Sequence, residues 1–326
     1  MAKINWGIIG CGDVTEIKSG PAFNKVKGSA LVAVMRRDEA KARDYARRHN
    51  VPRWYTDASE LIHDPAVNAI YVATPPSSHL LYTLAAIRAG KPVYVEKPMT
   101  VNAAEAKKMA AAASASGVKL SIAHYRRAQP LFLKIQALLL QKAIGEPRYI
   151  SLELNKKRLD SKALKATGNA WRVDPAIAGG GLFNDLAPHQ LDILYMLFGN
   201  ALKVQGLAVN QAKAYKAADM VSAQILFEGN VMFTGNWCFS AAVTQDRDTC
   251  TITGDTGSIS FSFFGQAPVI LEQKGKFRVF EFPPLQHVQQ PMIGEVVKYF
   301  SGGKNNPCPA SEGLTIMQWI DKINKG

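Results

Sequence analysis

The chain has 326 residues and a mass of 35.5 kDa, more than one ordinary domain needs and enough for two that each bury a core. With 47% hydrophobic and 20% charged residues and a mean hydropathy of -0.06, disorder and a membrane bundle are both excluded. The formal charge of +13 brings polyanions into view, but the excess is spread along the chain and the longest basic run is Lys156-Lys157-Arg158, so nucleic acid is not an expected partner.

The first residues lead straight into an apolar strand pattern with no signal-peptide cleavage site, and no apolar run approaches the roughly 18 residues of a membrane span. Cys11, Cys238, Cys250 and Cys308 form no C-x-x-C pair and are too scattered for a disulfide framework. A cytoplasmic protein without membrane attachment is therefore expected. Up to about Ala123, short apolar strands alternate with helices. Ile4 to Ile9, Leu31 to Met35, Ala69 to Ala73, Pro92 to Glu96 and Lys119 to Ala123 read as strands of a doubly wound parallel sheet. Asp57-x-x-Glu60 and Asn102-x-x-Glu105 are capping boxes, and Gly90 and Gly117 stand where helices should stop.

Near Tyr125 the rhythm changes. A helix from about Pro130 to Lys142 precedes longer β-rich stretches at Arg148 to Lys157, Val204 to Val209, Val221 to Phe227, Asn230 to Phe239, Cys250 to Thr253 and Ser258 to Phe263, which one helix, Gly181 to Phe198, interrupts. These runs predict a large, mostly antiparallel open sheet in an α+β domain. The expected division is residues 1–123 and 124–326.

The first strand is followed by Gly10-Cys11-Gly12-Asp13-Val14-Thr15. Two of the three glycines of G-x-G-x-x-G are present: the first makes the tight turn, and the second lets backbone N–H groups approach a pyrophosphate. The alternative is a plain strand-to-helix turn. The second strand ends Met35-Arg36-Arg37-Asp38, where an NAD-selective domain usually carries an acidic residue for the ribose 2′-hydroxyl. Two guanidiniums there suit a 2′-phosphate, so NADP is favoured over NAD. NAD stays open if Arg37 only stacks on adenine and Asp38 begins the next helix. Thr74, Pro75 and His79, and then Glu96-Lys97-Pro98, follow two later strands at the edge where ligands bind in open α/β sheets. In the second half, Gly179-Gly180-Gly181 precedes Asp185, His189 and Asp192 at helical i, i+4, i+7 spacing, an arrangement for a carboxylate and an acid–base imidazole on one helix face. The alternative is a buried histidine satisfied by Asp192. Pro188 predicts that the regular helix begins only around it, with His189 in its first turn. No third ligand is spaced to complete a metal site.

The glycine loop, Thr74 through His79, Glu96-Lys97-Pro98 and the Gly179 to Asp192 stretch together resemble the Gfo/Idh/MocA oxidoreductases, a family that includes glucose-fructose oxidoreductase, inositol dehydrogenase and dihydrodiol dehydrogenase. The resemblance runs over nearly the whole chain, to a tail at His287 to Phe300 and Pro307 to Asp321. It implies an N-terminal Rossmann domain, an NAD(P)-dependent dehydrogenase or reductase acting on a CH–OH group of a sugar, polyol or related carbonyl compound, and a homodimer or homotetramer. It also implies that Lys97 contacts nicotinamide ribose and substrate, that His189 is the acid–base group, that Asp185 positions substrate, that Trp171 and Arg172 reach the cofactor and that the Lys97–Pro98 peptide is cis. Two departures are visible: Ala187-Pro188 stands where Gly and a β-branched residue are usual, and Thr15 stands at the third glycine position. Substrate choice is expected from Arg158 to Trp171. Some members of such a family are sensors that keep the fold and lose the chemistry, but Lys97, Asp185 and His189 together favour an enzyme.

Overall fold

The computed structural model describes residues 3–159, 164, 168–265 and 267–325. The chain divides into two units, Met1–Gln129 with Leu285–Met317, and Pro130–Pro284 with Gln318–Gly326. Against the expected division at 123/124, the first unit continues to Gln129 and takes in a C-terminal segment.

The first unit is built on a six-stranded sheet in the order β3-β2-β1-β4-β5-β6, from β1 (Ile4–Ile9), β2 (Ser29–Met35), β3 (Arg53–Tyr55), β4 (Ala69–Val72), β5 (Val93–Val95) and β6 (Leu120–Ile122). Every pairing is parallel. The sequence shows the central strands well because strands covered on both faces are continuous apolar runs; every residue of β4 and β5 is buried. It does not show β3, whose three residues lie at the sheet edge and are exposed or half-buried. The strand order reverses between β1 and β4, so their carboxyl ends diverge into the crevice where such sheets bind ligands. The cap side of both boxes is realised, since Asp57 accepts from the Ser59 and Glu60 amides and Asn102 from the Glu105 amide at 2.9 Å.

The returning segment belongs to this unit for a packing reason that the local sequence rhythm does not carry. On the helix Gln290–Phe300, Met292, Ile293, Val296, Val297 and Phe300 form one buried stripe, and Phe300 lies 5.5 Å, centroid to centroid, from the fully buried Trp6. Beyond it, the Ile122 amide of β6 donates to the Cys308 carbonyl at 3.0 Å.

The second unit holds an eight-stranded sheet in the order β14-β13-β12-β11-β7-β10-β9-β8. Its strands are β7 (Pro147–Lys157), β8 (Ala201–Val209), β9 (Met220–Phe227), β10 (Met232–Ala241), β11 (Arg247–Gly254), β12 (Gly257–Phe261), β13 (Val269–Gln273) and β14 (Lys276–Phe280). Only β7 and β10 pair in parallel. Alternation sets the two faces: Ile150, Leu152, Leu154, Val221, Ile225, Phe233, Trp237, Ile252 and Ile259 are buried, whereas the residues between them include Ser151, Glu153, Gln224, Thr234 and Asn236. The hairpin β13–β14 has no counterpart among the strands expected from sequence; β14 alternates Phe277 and Val279 with Lys276 and Arg278, but four of its five residues are exposed. The C-terminal helix Ala310–Lys325 ends in this unit, with Trp319 against Phe227 at 5.8 Å.

Candidate active site

At the end of β1, Gly10 has φ +95°, and a Cβ there would stand 2.7 Å from Thr74 Cγ2 and 2.9 Å from Thr74 N. The first glycine of the fingerprint is thus required twice, by its left-handed backbone and by the close passage of the loop after β4. The Gly10 and Cys11 amides both donate to the Met35 carbonyl, at 2.9 and 3.2 Å, folding the loop over the end of β2. Thr15, at the third glycine position, is fully buried; its hydroxyl donates to the Gly12 carbonyl at 2.8 Å, and its own carbonyl accepts from the Tyr45 hydroxyl at 2.8 Å. A threonine replaces the usual small residue here by closing the loop with hydrogen bonds. A Cβ on Gly12, by contrast, would meet nothing within 4 Å. That open approach to backbone, with Asp13 exposed and Val14 half-buried beside it, fits a dinucleotide pyrophosphate. Burial pushes the Cys11 thiol up to about 11, so it stays protonated in the loop.

After β2, Arg36 turns its Nη1 onto the Cys11 carbonyl at 3.1 Å, while Arg37 is exposed. Asp38 caps the helix Glu39–Arg48 by accepting from the Lys41 amide at 3.0 Å. That bond holds its carboxyl below the usual range and engages the only acidic side chain in the Met35-Arg36-Arg37-Asp38 run.

The loops after β4 and β5 are tied together by His79. Its Nδ1 lies 2.9 Å from the Pro98 carbonyl and its Nε2 2.7 Å from the Thr74 carbonyl. Burial pulls this imidazole below its ordinary range, outweighing the carbonyls that favour its protonated form. Because His79 has no accessible surface, the expectation that it touches cofactor is corrected: it holds the Thr74-Pro75 loop against the Lys97–Pro98 turn, whose peptide bond is cis. Glu96, also expected at the cofactor, is 5% exposed and faces inward. Its carboxylate accepts from the Tyr71 hydroxyl, from Gln289 Nε2 at 2.6 Å and from the Lys97 amide at 3.1 Å. Lys97 itself is half-buried. Tyr71 and Gln289 carried no signal in the sequence, one inside an apolar strand and the other almost two hundred residues downstream.

In the second unit the helix Leu182–Phe198 carries Asp185 and His189. It starts at Gly181, whose φ is +77° and where a Cβ would stand 2.3 Å from the Ala217 Cβ, which explains a glycine at that helix entry. Pro188 lies inside the regular helix, so the expected start near Pro188 is corrected. A proline removes one N–H bond, to the carbonyl four residues back, and the burial of Ala187, Pro188 and His189 on the packed face offsets it. Asp185 Oδ2 accepts from Arg172 Nη1 at 2.7 Å, Arg172 Nε donates to Asn169 Oδ1 at 3.1 Å, and the guanidinium lies 4.5 Å from the Trp171 ring centroid. Trp171, Arg172 and Asp185 thus form one assembly. One turn on, His189 is 5% exposed with the Phe264 ring edge-on at 5.8 Å. The Phe264 loop is fixed by Asp248, which accepts amides from Phe263, Phe264 and Gly265, an anchor with no sequence motif. Of the segment Arg158 to Trp171, residues 160–163 and 165–167 lie outside the described residues. Among the described residues no group of three His, Cys, Asp or Glu is placed to hold a metal ion, and no helix is long and apolar enough to cross a membrane.

Comparison with known proteins identifies the family of both units. Residues 4–124 match the oxidoreductase family with an NAD-binding Rossmann fold, and residues 132–260 match the GFO/IDH/MocA C-terminal domain. An oxidoreductase of Formosa agariphila is 44% identical over 98% of each chain, and trans-1,2-dihydrobenzene-1,2-diol dehydrogenase of Mus musculus is 30% identical over 92% of this chain and 84% of its own. The crystal structure of an aldose-aldose oxidoreductase from Caulobacter crescentus, complexed with glycerol, shares the fold with a TM-score of 0.86 at 23% identity, covering 98% of this chain and 96% of that one. The chain is a member of the Gfo/Idh/MocA oxidoreductase family, with the family's NAD-binding Rossmann domain and its C-terminal domain.

Proposed function

We propose that the protein is an NAD(P)-dependent dehydrogenase or reductase that interconverts a CH–OH group and a carbonyl on a sugar, polyol or related small molecule. The observation that carries this reading is the carboxyl edge of the parallel sheet, where Gly12, Arg36, Thr74 and Lys97 converge on loops bonded to one another. A bound nicotinamide dinucleotide supplies the hydride-accepting and hydride-donating carbon. The open backbone at Gly12 holds the pyrophosphate, with Asp13, Val14, Thr74 and Pro75 around it, and the Lys97 ammonium stabilises the alkoxide that develops on the substrate oxygen. His189 takes the hydroxyl proton in oxidation and returns it in reduction, the role for which imidazole is suited near neutral pH. Asp185 accepts hydrogen bonds from neighbouring substrate hydroxyls while Arg172 fixes its orientation, and Trp171 and Arg172 are assigned to the cofactor. NADP is favoured over NAD because the carboxylate that would select the 2′-hydroxyl is occupied as the cap of the following helix, leaving the exposed Arg37 for a 2′-phosphate. The names of the relatives, an aldose-aldose oxidoreductase and a dihydrodiol dehydrogenase, support a vicinal diol or polyol as the substrate class. The open sheet face, with Leu207, Phe277 and Val279 exposed, supports assembly as a homodimer or homotetramer, and the protein works in the cytoplasm.

The test is turnover against aldoses, inositols, cyclic diols and aldehydes with both NAD and NADP. Reduction of either cofactor by at least one polyol or diol is expected. Tight cofactor binding without turnover across the whole panel would overturn the reading in favour of a non-catalytic NAD(P) sensor of the same fold.

A further inference from the structure

Around Glu96 the first unit buries a polar cluster that the proposed chemistry does not itself use. Gln289 is 1% exposed, and Tyr71 and Tyr94 have no accessible surface. A carboxylate in such surroundings is expensive unless each oxygen is hydrogen-bonded. Glu96 meets that requirement from three separate segments: Oε1 accepts from Gln289 Nε2 at 2.6 Å and from the Tyr71 hydroxyl, and Oε2 accepts from the Lys97 amide at 3.1 Å. Burial and the Glu96 charge push the Tyr71 phenol well up, so it remains a donor.

The Gln289 side chain is itself held firmly. Its backbone amide donates to the Lys18 carbonyl at 3.2 Å and its carbonyl accepts from Ile293 at 2.9 Å, which pins it at the entry of the Gln290–Phe300 helix; its neighbour Val288 accepts from Gln129 Nε2 at 3.1 Å. Its own Oε1 lies 3.5 Å from the Tyr94 hydroxyl, which fixes which way the amide points and aims Nε2 at the carboxylate. A carboxamide is the chemistry this position needs. A carboxylate here would face Glu96 at the same short range, and one of the two would have to take up a proton.

We propose that Gln289 is a positioning residue for Lys97, acting through the Glu96 carboxylate; this rests on the reading of Lys97 as the group that stabilises the substrate oxygen. The Lys97 backbone is gripped from both sides, by Glu96 at its amide and by His79 at the following Pro98 carbonyl. Gln289 sets the first of these grips. Without its donor the Glu96 carboxylate turns toward Tyr71 alone and releases the Lys97 amide, so the ammonium is no longer held in one place.

The test uses Gln289→Leu, which keeps the volume and removes the donor, and Tyr71→Phe, which keeps the ring and removes the hydroxyl. The primary readout is the rate at which an amine-reactive reagent labels Lys97 in the cofactor-free protein, measured peptide by peptide by mass spectrometry. Exposed Lys107 serves as internal reference, and thermal melting reports the fold. Gln289→Leu is expected to change Lys97 labelling by about threefold or more while Lys107 is unchanged, as loss of one hydrogen bond to a charged group implies, and Tyr71→Phe to change it less. In turnover, kcat falls about tenfold while the Kd for the dinucleotide stays within about twofold. Unchanged Lys97 labelling in a folded Gln289→Leu variant would overturn the proposal, and if that variant does not fold, unchanged labelling in Gln289→Met, which keeps the chain length and also lacks the donor, would do so. Full turnover in Lys97→Ala would instead break the reading of Lys97, leaving the labelling result to decide the role of Gln289.

Discussion

The glycine edge of the first unit and the Leu182–Phe198 helix of the second are built on different plans. At the edge, the proposed cofactor site rests on backbone: Gly10 turns, Gly12 leaves open space beside the loop, and the loops are stitched through carbonyls of Met35, Thr74 and Pro98. On the helix, the proposed chemistry rests on side chains whose partners arrive from elsewhere, Arg172 for Asp185 and Phe264 for His189. A backbone site tolerates many residue types at exposed positions but almost none at its glycines. A side-chain site is sensitive to each partner and indifferent to its helix backbone, which absorbs Pro188 without a break.

The sharpest challenge to that contrast is removal of the two groups proposed to react. Lys97→Ala and His189→Ala are each expected to lower kcat by about 10²- to 10⁴-fold while dinucleotide affinity, measured by calorimetry, changes little; a large loss of affinity in His189→Ala would show that the helix also serves the cofactor. Next in size is the pair of glycines. Gly10→Ala forces a left-handed alanine against Thr74 and should destabilise the fold by about 1–3 kcal/mol, seen as a lowered Tm. Gly12→Ala should melt like the wild type and weaken the dinucleotide by about tenfold. If the two variants melt alike, the distinction between a structural and a ligand-facing glycine fails.

A smaller effect is expected at the ion pair. Arg172 and Asp185 are 25% and 16% exposed, so solvent screens part of their attraction, and Arg172→Ala should cost about 1 kcal/mol of stability. Its larger signature should be a rise in KM for the substrate, because Asp185 loses the partner that orients it; a change confined to cofactor affinity would reassign Arg172 to the nucleotide. Last, Arg37→Ala should weaken NADPH about tenfold and leave NADH within about twofold, since only one of them carries the phosphate. Equal losses for both would reduce Arg37 to a stacking surface.

The contrast also decides what could be read in advance. The glycine loop, the Arg36-Arg37 pair, Lys97, Asp185 and His189 are visible because each sits at a fixed offset from a strand end or repeats at helical spacing. His79 and Glu96 are visible for the same reason, but their direction is not. A histidine one turn after a strand faces solvent or core according to which carbonyls the next loop brings, and here Thr74 and Pro98 draw it inward. The short strand β3 was illegible because too little of it is buried to impose a period, and the exposed hairpin strand β14 because its alternation runs over only five residues.

By itself, the sequence determined the parallel strands, the caps at Asp57 and Asn102 and the alternating sheet, all of which follow from local periodicity and backbone preference. Only the tertiary structure decided that residues 285–317 return to the first unit, that Gln289 meets Glu96 and that Arg172 meets Asp185. The reason is physical: burial of an apolar face leaves a repeating pattern along the chain, whereas the partner of a buried polar group is chosen by where distant segments come to lie, and a single side chain bears no mark of that choice.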